Sequence, residues 1–396
     1  MIERTSPSGG VIARAATLIA ALSLIVAACG GGTSPSPSAS AAAPSTPAST
    51  APSEAPVGSP SGEPGVAPTP FPSKTGDLPV VRVAQSVPQM SFAPLQIALA
   101  MNFFEYLGVK IEFVELQSGA TAQQAIIGGS IDLVDSASTE VAAGVAKGVD
   151  LVSIQATINM TLQMCVRKDW ADQKGVTPES PLEDRIKALE GATIAITGPG
   201  AVSDRATRWL LTRYGKLDPN TQATITQVGG GAAAIAGALE ANQVQAFLLS
   251  PPSCEVSGGV VLIPPKDVPE FANYVHEVLY GKRPWIEANK EAAGLVATAI
   301  SMGNNYIIKY PEASIKILQE GPFSKVDPAI VAEAFNRTIL PQVTAVQSGV
   351  QTEAGWKDTM TVLVESGVIE KAIPFGEGTF WTNEYVDVPT AESILK

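Results

Sequence analysis

Residues 197–204, TGPGAVSD, have the composition of a turn that a ligand contacts. They lie between the apolar run GATIAIT, which is typical of a strand, and RATRWLLTRYG, which has helical spacing. Glycines allow close approach to the backbone, and the first N–H groups of a helix attract an anion or an acceptor. We therefore predict ligand contacts at Gly198, Gly200, Ser203 and Asp204. The alternative is that Ser203 or Asp204 only caps its own helix.

The sequence offers little for catalysis. Its single histidine, His276, lies in YVHEVLYG, and no G-x-S-x-G turn provides a nucleophile for Ser–His chemistry. HExxH, paired-cysteine and G-x-x-x-x-G-K-[ST] motifs do not occur, so we predict neither a zinc site nor nucleotide hydrolysis. The turn at 197–204 does not fit a dinucleotide site, because the next strand, ATITQVGG, ends in no acidic residue. We predict no enzyme, no catalytic residue, no metal and no cofactor.

Strands and helices alternate through most of the chain from Val80 onwards. Short apolar runs such as VVRVAQS, KIEFVEL and IDLVDS are separated by segments with helical spacing, among them APLQIALAMNFFEYLG. The same alternation returns after the charged stretch at 167–191, and from 287 the pattern is mainly helical. This order predicts an α/β protein with two series of βαβ units and mainly parallel sheets.

Ligands of open α/β sheets bind beyond the carboxyl ends of the strands. The residues that follow each predicted strand are therefore candidates for a binding site, although each alone is more often an ordinary turn or cap residue. The first series supplies Gln85, Ser86, Phe92, Gln117, Ser118, Gly119, Ser136, Ser138, Thr139, Glu140, Asn159 and Met160. The second series supplies the turn at 197–204, the glycines at 229–231, and residues 249–252 with Ser250.

Four blocks of the chain resemble, in order, those of a known family. They are APLQIALAMNFFEYLGVKIEFVEL, GGSIDLVDSASTEVAAGVAKGVDLVSIQA, IKALEGATIAITGPGAVSDRATRWLL and GALEANQVQAFLLSPP, and the resemblance covers nearly all of residues 80–320. The family is that of the solute-binding proteins of ABC importers for nitrate, sulfonates, taurine and thiamine-pyrimidine precursors. The resemblance implies a type II periplasmic-binding-protein fold, in which two α/β lobes joined by two crossing strands close on a ligand.

The resemblance also implies how the chain is divided. Lobe one would comprise residues 79–166 and 263–396, and lobe two residues 167–262, with the crossing strands near 164–168 and 257–262. The protein would capture one small organic solute in the cleft and deliver it to an ABC permease with its ATPase. An enzyme or a sensor on the same fold is the alternative, and we expect a monomer.

The resemblance leaves two classes of ligand open. A sulfonate-, taurine- or nitrate-like anion fits the helix N-termini, but Arg205 is the only cationic side chain near the predicted turns. Glu140 lies where sulfonate binders of the family usually have an apolar residue, and where binders of pyrimidine and flavin precursors often have glutamate. A heterocycle in contact with Glu140, Phe92 and Met160 is therefore the competing prediction.

The N-terminus has the pattern of a secreted lipoprotein. Residues 1–28 contain the apolar run AATLIAALSLIVAA, which is too short to cross a bilayer as a helix, and LIVAACGGG resembles a bacterial lipoprotein signal. Cys29 would then carry the lipid that anchors the protein to the membrane outside the cytoplasm; an ordinary secretory signal is the alternative. Residues 29–78 are rich in Pro, Ser and Ala and poor in apolar side chains, so we predict a disordered tether.

Charge and cysteine content narrow the choice of partners and compartment. The chain has a formal net charge of −12, which argues against nucleic acid and against adhesion to anionic lipid except through the acyl group. With Cys29 lipidated, Cys165 and Cys254 remain as an even pair in an oxidising compartment. They either form a disulfide or stay as two buried thiols, and the sequence leaves both open.

Overall fold

Two five-stranded sheets form the centre of the molecule. The computed structural model describes residues 69–396, so the predicted signal peptide, Cys29 and most of the predicted tether lie outside the described residues. Within this range the strands are β1 Val80–Gln85, β2 Lys110–Glu115, β3 Leu133–Ala137, β4 Leu151–Asn159, β5 Gln163–Val166, β6 Thr193–Ile196, β7 Thr224–Gln227, β8 Ala246–Leu249, β9 Val260–Ile263 and β10 Val275–Lys282.

Helices cover both faces of the sheets and form most of the C-terminal third of the chain. They are α1 Ala93–Ala100, α2 Phe103–Leu107, α3 Gly119–Gly128, α4 Ser138–Ala146, α5 Lys168–Lys174, α6 Leu182–Lys187, α7 Val202–Arg213, α8 Gly231–Glu240, α9 Ser253–Val256, α10 Arg283–Ala288, α11 Lys290–Lys309, α12 Pro311–Glu320, α13 Pro328–Ala334, α14 Leu340–Thr344, α15 Glu353–Glu365 and α16 Val388–Ala391. A π-helical turn lies at Phe335–Ile339 and a 3-10 turn at Met90–Phe92. None of the helices at 69–396 is long and apolar enough to span a membrane.

The first sheet has the strand order β2-β1-β3-β10-β4. β1 pairs in parallel with β2 and β3, whereas β10 runs antiparallel to both β3 and β4. Every strand of this sheet except β10 therefore points the same way. One face of the sheet packs on α1 and α11, and the other on α3, α4 and α15.

The second sheet repeats this plan with the order β7-β6-β8-β5-β9. Here β6 is parallel to β7 and β8, and β5 is antiparallel to β8 and β9. In both sheets the antiparallel strand is the first one that the chain forms after it passes from the other sheet, at 160–162 and at 264–274. The predicted α/β fold with two lobes is confirmed, and both sheets are mixed: the antiparallel strand of each pairs with two neighbours, while the other strands share one direction.

Close packing joins helices within and between the lobes. The core of lobe two is built around Trp209 and Leu210, and Val362 from α15 is buried in the same cluster although α15 belongs to lobe one. In lobe one, α11 lies directly on α1. A Cβ added to Gly303 of α11 would be 2.1 Å from the carbonyl oxygen of Pro94, so only glycine fits at this contact.

Three local features differ from the sequence predictions. The segment predicted as one helix forms α1 and α2, because Asn102 between them adopts a left-handed conformation with φ of 60°, which asparagine tolerates better than most residues. No prediction covers β10. Finally, β5 and β9 pair within the second sheet, so the passages lie at 160–162 and 264–274 and not near 164–168 and 257–262. That the two lobes, with the predicted boundaries, move as separate bodies stays a prediction.

Cys165 in β5 and Cys254 in α9 are joined by a disulfide, with 5.4 Å between their Cα atoms. Both residues are fully buried. The bond connects the strand that follows the first passage to the helix that follows residues 249–252, one of the predicted ligand-facing segments. It therefore restrains that segment from within lobe two.

Candidate functional site

A small cavity lies between the two lobes, beyond the carboxyl ends of the parallel strands. Its volume of about 20 Å³ is on the scale where roughly 10–15 Å³ admits one water molecule. The cleft is therefore nearly closed in this conformation, and a solute larger than water needs the lobes to separate. The lining residues are Ser86, Val87, Gln89, Gly119, Ala137, Glu140, Leu162, Thr197, Ala201, Val202, Ser203, Leu249 and Glu277.

Glu140 reaches this cavity from the first turn of α4. Its Oε2 accepts a hydrogen bond of 2.7 Å from the hydroxyl of Ser136, and the carboxylate also faces the backbone N–H groups of Ala137 and Val202. A Cβ added to Gly119, the first residue of α3, would be 2.2 Å from Oε1. The carboxylate thus lies at the N-terminal ends of α3, α4 and α7, whose dipoles favour a negative charge.

Arg205 is the buried positive group of lobe two. It lies in the first turn of α7, and its charge lowers the pKa of Glu140, which burial raises. Burial lowers the pKa of Arg205 and the charge of Glu140 raises it, but a guanidinium stays protonated in proteins. Its Nε and Nη1 atoms find no hydrogen-bond partner within residues 69–396. Arg205 therefore acts on Glu140 through its charge rather than through a direct bond.

Two further buried carboxyl groups lie at the cavity and beneath it. Glu277 on β10 lines it, and Asp135 on β3 is its diagonal neighbour on the same face of the sheet, because Glu277 lies opposite Ala137. Burial raises the pKa of Asp135 to about 7, opposed by a hydrogen bond of 3.0 Å from Thr157 Oγ1. Burial and the charges of Asp135 and Glu140 raise the pKa of Glu277 well above its usual range.

His276 lies next to these acids but lacks the geometry of a catalytic base. Its Nδ1 is 3.0 Å from Thr161 Oγ1, which is 2.7 Å from Ser250 Oγ. Its Nε2 is 3.4 Å from Glu277 Oε1 and has no hydrogen-bond partner among the described residues. Burial lowers the pKa of His276 to about 3, so the imidazole is neutral at physiological pH. The network links the first passage to the loop after β8.

Metal-binding geometry is missing from the part of the chain that the structure describes. There, no group of three or more His, Cys, Asp and Glu side chains is arranged to hold a metal ion. The acids at the cavity are instead surrounded by hydroxyl, amide and guanidinium groups. Their arrangement suits binding of a small polar molecule through hydrogen bonds and charge.

The structure brings several of the predicted residues together at the cavity, from both lobes. Those that line it are Ser86, Gly119, Glu140, Ser203, and, from the predicted turns, Thr197, Ala201, Val202 and Leu249. Their predicted elements therefore converge, which sequence position alone does not require. Their contacts with a ligand stay a prediction.

Other predicted residues of lobe one support the wall without lining the cavity. Gln85, Ser118 and Ser138 each bond to backbone groups of their own lobe. Gly198 of lobe two faces Ser118, since an added Cβ would be 3.7 Å from Ser118 Oγ. The remaining candidates of lobe one that do not line the cavity are Phe92, Gln117, Ser136, Thr139, Asn159 and Met160.

The turn before α7 is held by its own side chains. The helix begins with Ala201 as N-cap and with no side-chain cap, so neither Ser203 nor Asp204 is the N-cap residue. Ser203 Oγ accepts a hydrogen bond of 3.2 Å from the N–H of Thr197, and Asp204 Oδ2 accepts one of 2.8 Å from the N–H of Gly200. These bonds position the turn as one wall of the cavity.

The sequence did not reveal Asp135 and Glu277 as residues of the site. It showed Arg205 only as a cationic side chain near the predicted turns. Glu277 escaped notice because it lies in β10, which no prediction covers. A signal was present, since VHEVLYG is an apolar run that carries an acid. Burying an unpaired charge in such a strand is costly, so a carboxylate at that position marks a site of function or of structural stress.

The family relationship follows from a match that extends over both walls of the cavity. Residues 81–312, more than half of the chain, match the model of the NMT1-like family. The chain belongs to the NMT1-like family. Its matched range includes every residue that lines the cavity. No curated protein sequence matches the chain significantly.

Solved structures similar to this NMT1-like protein share its fold. A protein of Bordetella bronchiseptica RB50 is 23% identical with a TM-score of 0.64, covering 79% of this chain and 96% of that chain. The periplasmic nitrate-binding protein NrtA from Synechocystis PCC 6803 is 17% identical with a TM-score of 0.55, and the match covers 65% of this chain and 70% of that chain. The periplasmic aliphatic sulphonate binding protein SsuA from Escherichia coli is 19% identical with a TM-score of 0.54, and the match covers 75% of this chain and 96% of that chain. The chain shares the periplasmic-binding-protein fold of these proteins, as predicted.

Proposed function

We propose that this NMT1-like protein captures a small organic solute between its lobes, outside the cytoplasm, and delivers it to an ABC permease with its ATPase. The observation that carries the proposal is the interlobe cavity, where Glu140 and Glu277 face Val202 and Ser203. Concave sites with a few convergent polar groups are where proteins bind small molecules. The fold that the chain shares with the nitrate-binding and sulphonate-binding proteins supports the same role.

The small volume of the cavity indicates how binding would proceed. The two lobes are connected by the chain at 160–162 and at 264–274, and rotation there would open the cleft. A solute that contacts both walls binds the closed form better than the open form, and so shifts the population toward closure. The permease would then recognise the closed protein.

A panel of thermal shifts tests the proposal. The protein is unfolded by heat alone and with sulfonates, taurine, nitrate, bicarbonate, aminopyrimidines, riboflavin and polyamines. A solute at 100 times its Kd should add roughly 2.7 kcal/mol to the free energy of unfolding, which raises the midpoint temperature measurably. If none of these solutes raises it, the proposed range of ligands is wrong.

Two ligand classes receive support from different parts of the site. An anion of the sulfonate, taurine or nitrate type is supported by the N-terminal ends of α3 and α7 and by the charge of Arg205. A heterocycle is favoured by Glu140, which faces the cavity with Oε1 unpartnered within residues 69–396. Glu140→Gln should weaken a basic heterocycle and leave sulfonate binding unchanged.

The proposed location outside the cytoplasm rests on the N-terminal sequence, which lies beyond the described residues. Cleavage before Cys29 and its lipidation would tether the binding domain to the membrane. A Cys29→Ala variant should be released from membranes after signal cleavage, as fractionation and blotting would show. A variant that is cleaved and still sediments with membranes would exclude the lipid anchor.

Transport, sensing and catalysis make different demands on the site. The two named relatives with a stated ligand are binding proteins, and the imidazole of His276 in this chain is neutral at physiological pH and bonded at Nδ1 to Thr161 Oγ1. We therefore propose a binding protein and not an enzyme, active as a monomer. Deletion of the gene should abolish uptake of the radiolabelled solute identified by thermal shift, whereas a sensor would leave uptake intact.

A further inference from the structure

A short segment of lobe two, residues 249–256, contacts lobe one at two points. The backbone N–H of Met90, in the 3-10 turn of lobe one, donates a hydrogen bond of 3.2 Å to the carbonyl oxygen of Pro251. Glu255 in α9 pairs with Arg337 in the π-helical turn of lobe one. The segment therefore lies where the two lobes meet, and its position affects how closely they fit together.

The same segment is attached to lobe two through β5, the strand that begins directly after the first passage. The disulfide joins Cys254 in α9 to Cys165 in β5, and Gln163 Nε2 donates a hydrogen bond of 2.9 Å to Glu255 Oε1. Helix α9 has only four residues, and a helix of that length is not stable without tertiary contacts. The covalent bond therefore determines where Glu255 is presented to lobe one.

A side chain of lobe one in turn covers the disulfide. Val87, which follows β1, is only 7% exposed, and it packs in the apolar cluster of lobe two that contains Cys165 and Cys254. Both cysteines are fully buried in this conformation. Separation of the lobes would withdraw Val87 from the cluster, so a thiol reagent would reach the bond more readily in the open form.

We propose that the Cys165–Cys254 disulfide is a redox-sensitive control of closure: the intact bond favours the closed form, and its reduction by a dithiol shifts the protein toward the open form. In this reduction the S–S bond breaks, two electrons and two protons pass to the cysteine sulfurs, and the dithiol becomes a cyclic disulfide. The inference rests on the proposed function, in which the lobes close on a solute, and adds a second control of that closure.

Reduction of the folded protein provides the direct test. The secreted full chain is used with Cys29→Ala, so that Cys165 and Cys254 are the cysteines that remain. It is treated with dithiothreitol without denaturant, and alkylation of both cysteines is followed by mass spectrometry of their peptides. Circular dichroism establishes that the reduced protein is folded.

The expected result is a shift in the balance between the two forms. Small-angle X-ray scattering, fitted as a mixture of open and closed molecules, should show the ratio of open to closed rise by roughly threefold or more on reduction. An effect of this size is expected because an ion pair and a hydrogen bond between the lobes are weakened together.

Two control variants isolate the disulfide from other effects. Cys165→Ala/Cys254→Ala has no bond to reduce, so it should scatter like the reduced protein, and dithiothreitol should not change it further. Gly303→Ala disturbs a contact within lobe one and keeps the disulfide, so it should scatter like the oxidised protein. A loss of stability alone would give both variants the same scattering. If the double variant does not fold, reduction of the chain with both cysteines still decides the result.

A double-mutant cycle tests whether the bond acts through residues 249–256. Arg337→Gln removes the ion pair with Glu255. It should open the oxidised protein more than it opens the protein without the two cysteines, because both changes act on the same contact. Two independent effects would multiply instead.

The rate of reduction provides a further readout, which needs no substitution in the segment. Closure and protection of the bond are linked, so a solute that binds the closed form should slow reduction, by up to about 100-fold at 100 times its Kd. Urea below the unfolding transition should change the rate little, because opening of the lobes exposes much less surface than unfolding does.

The outcomes separate this inference from the proposed function. If reduction leaves the scattering unchanged, or if the bond resists dithiothreitol until the protein unfolds, the inference is overturned and the receptor function stands. If Arg337→Gln has the same effect with and without the disulfide, the bond does not act through residues 249–256, which also overturns it. If no solute of the panel binds, the proposed function fails, and the scattering of the oxidised and reduced protein still decides whether the disulfide controls closure.

Discussion

Buried ionisable side chains give the binding site its chemistry and also make the stability of the protein depend on pH. Asp135 and His276 are both fully buried and both favour the neutral form. Asp135 in the folded protein keeps a proton that the unfolded chain releases above pH 3.8, whereas His276 lacks a proton that the unfolded chain takes up below pH 6.5. Between these values the two residues have opposite effects on stability.

Replacing Asp135 should separate its effect on the pH dependence of stability from that of His276. The raised pKa of Asp135 makes the free energy of unfolding fall as pH rises from about 3.8 to about 7, a change of roughly 4 kcal/mol at full burial. In Asp135→Asn that loss disappears, and the opposite slope from His276, whose stabilisation is lost as pH falls from 6.5 toward 3, remains. Urea unfolding of wild type and variant at several pH values between about 4 and 8 measures the difference.

The variant should gain stability relative to wild type as pH rises through this range. The bond from Thr157 Oγ1 can be kept by the amide oxygen of asparagine, so the substitution removes the titration of the carboxyl group and little else. A stability difference that is the same at every pH would show that Asp135 does not keep its proton in the folded protein.

Secondary-structure elements place these residues, and their contacts explain which parts of the site the sequence revealed. The turns after β1, β3 and β6 could be predicted, because strand–turn–helix order is local and the ligand side of such a sheet is fixed by topology. β10 could not be placed in this way. It is antiparallel, it follows a passage from the other lobe, and its partners β3 and β4 lie more than a hundred residues earlier.

Because β10 was not predicted, Glu277 on that strand was not predicted as a site residue either. Glu277 reaches the cavity only because β10 is inserted between β3 and β4, and no local pattern encodes that insertion. Arg205 was visible in the sequence, but its burial against Glu140 depends on the approach of the two lobes. The fold could thus be predicted from local alternation and resemblance, and the charge balance of the site could not.

The contact between α1 and α11 makes a prediction at the scale of helices. Gly303→Ala places a Cβ 2.1 Å from the carbonyl oxygen of Pro94, and backbone cannot move aside as a flexible side chain can. The free energy of unfolding should fall by about 1–3 kcal/mol, as measured by urea unfolding.

An exposed helical glycine provides the matched control. Gly237 in α8 has nothing within 4 Å of an added Cβ, so Gly237→Ala should raise the free energy of unfolding by roughly 0.5–1 kcal/mol. Equal effects of the two substitutions would contradict the close contact of α1 with α11.

At the scale of the whole molecule, ion pairs join helical elements of lobe one to helices of lobe two. Arg337 in the π-helical turn of lobe one pairs with Glu255 in α9 of lobe two. Glu365 at the end of α15 pairs with Arg213 at 3.0 Å and accepts a hydrogen bond of 2.9 Å from Trp209 Nε1. Both sets of contacts connect residues of the two lobes in this nearly closed conformation, and we expect them to stabilise it.

Removing one of these pairs should shift the protein toward the open form. Arg337→Gln loses a partly exposed pair, and such pairs contribute about 0.2–1 kcal/mol, so the open population should rise by up to roughly fivefold. Small-angle X-ray scattering should record a larger radius of gyration, and affinity for the solute should fall in proportion to the closed fraction, by no more than that factor.

Lys316→Gln is the control for this experiment, because Lys316 forms an exposed pair with Glu320 inside α12 of a single lobe. Its radius of gyration should equal that of wild type. If Arg337→Gln scatters like wild type at low and at high salt, the pair with Glu255 does not contribute to closure.

The chain enters and leaves the second sheet through neighbouring strands, because Met164 of β5 lies opposite Ile263 of β9. Residues 163–263 thus form an insertion whose two ends are side by side. Both cysteines of the disulfide, Cys165 and Cys254, lie within this insertion. Such a segment could be exchanged as a unit between proteins of this fold, and it would carry one wall of the interlobe cavity with it. The exchange would have to preserve a residue like Val362, which lobe one contributes to the core of the segment.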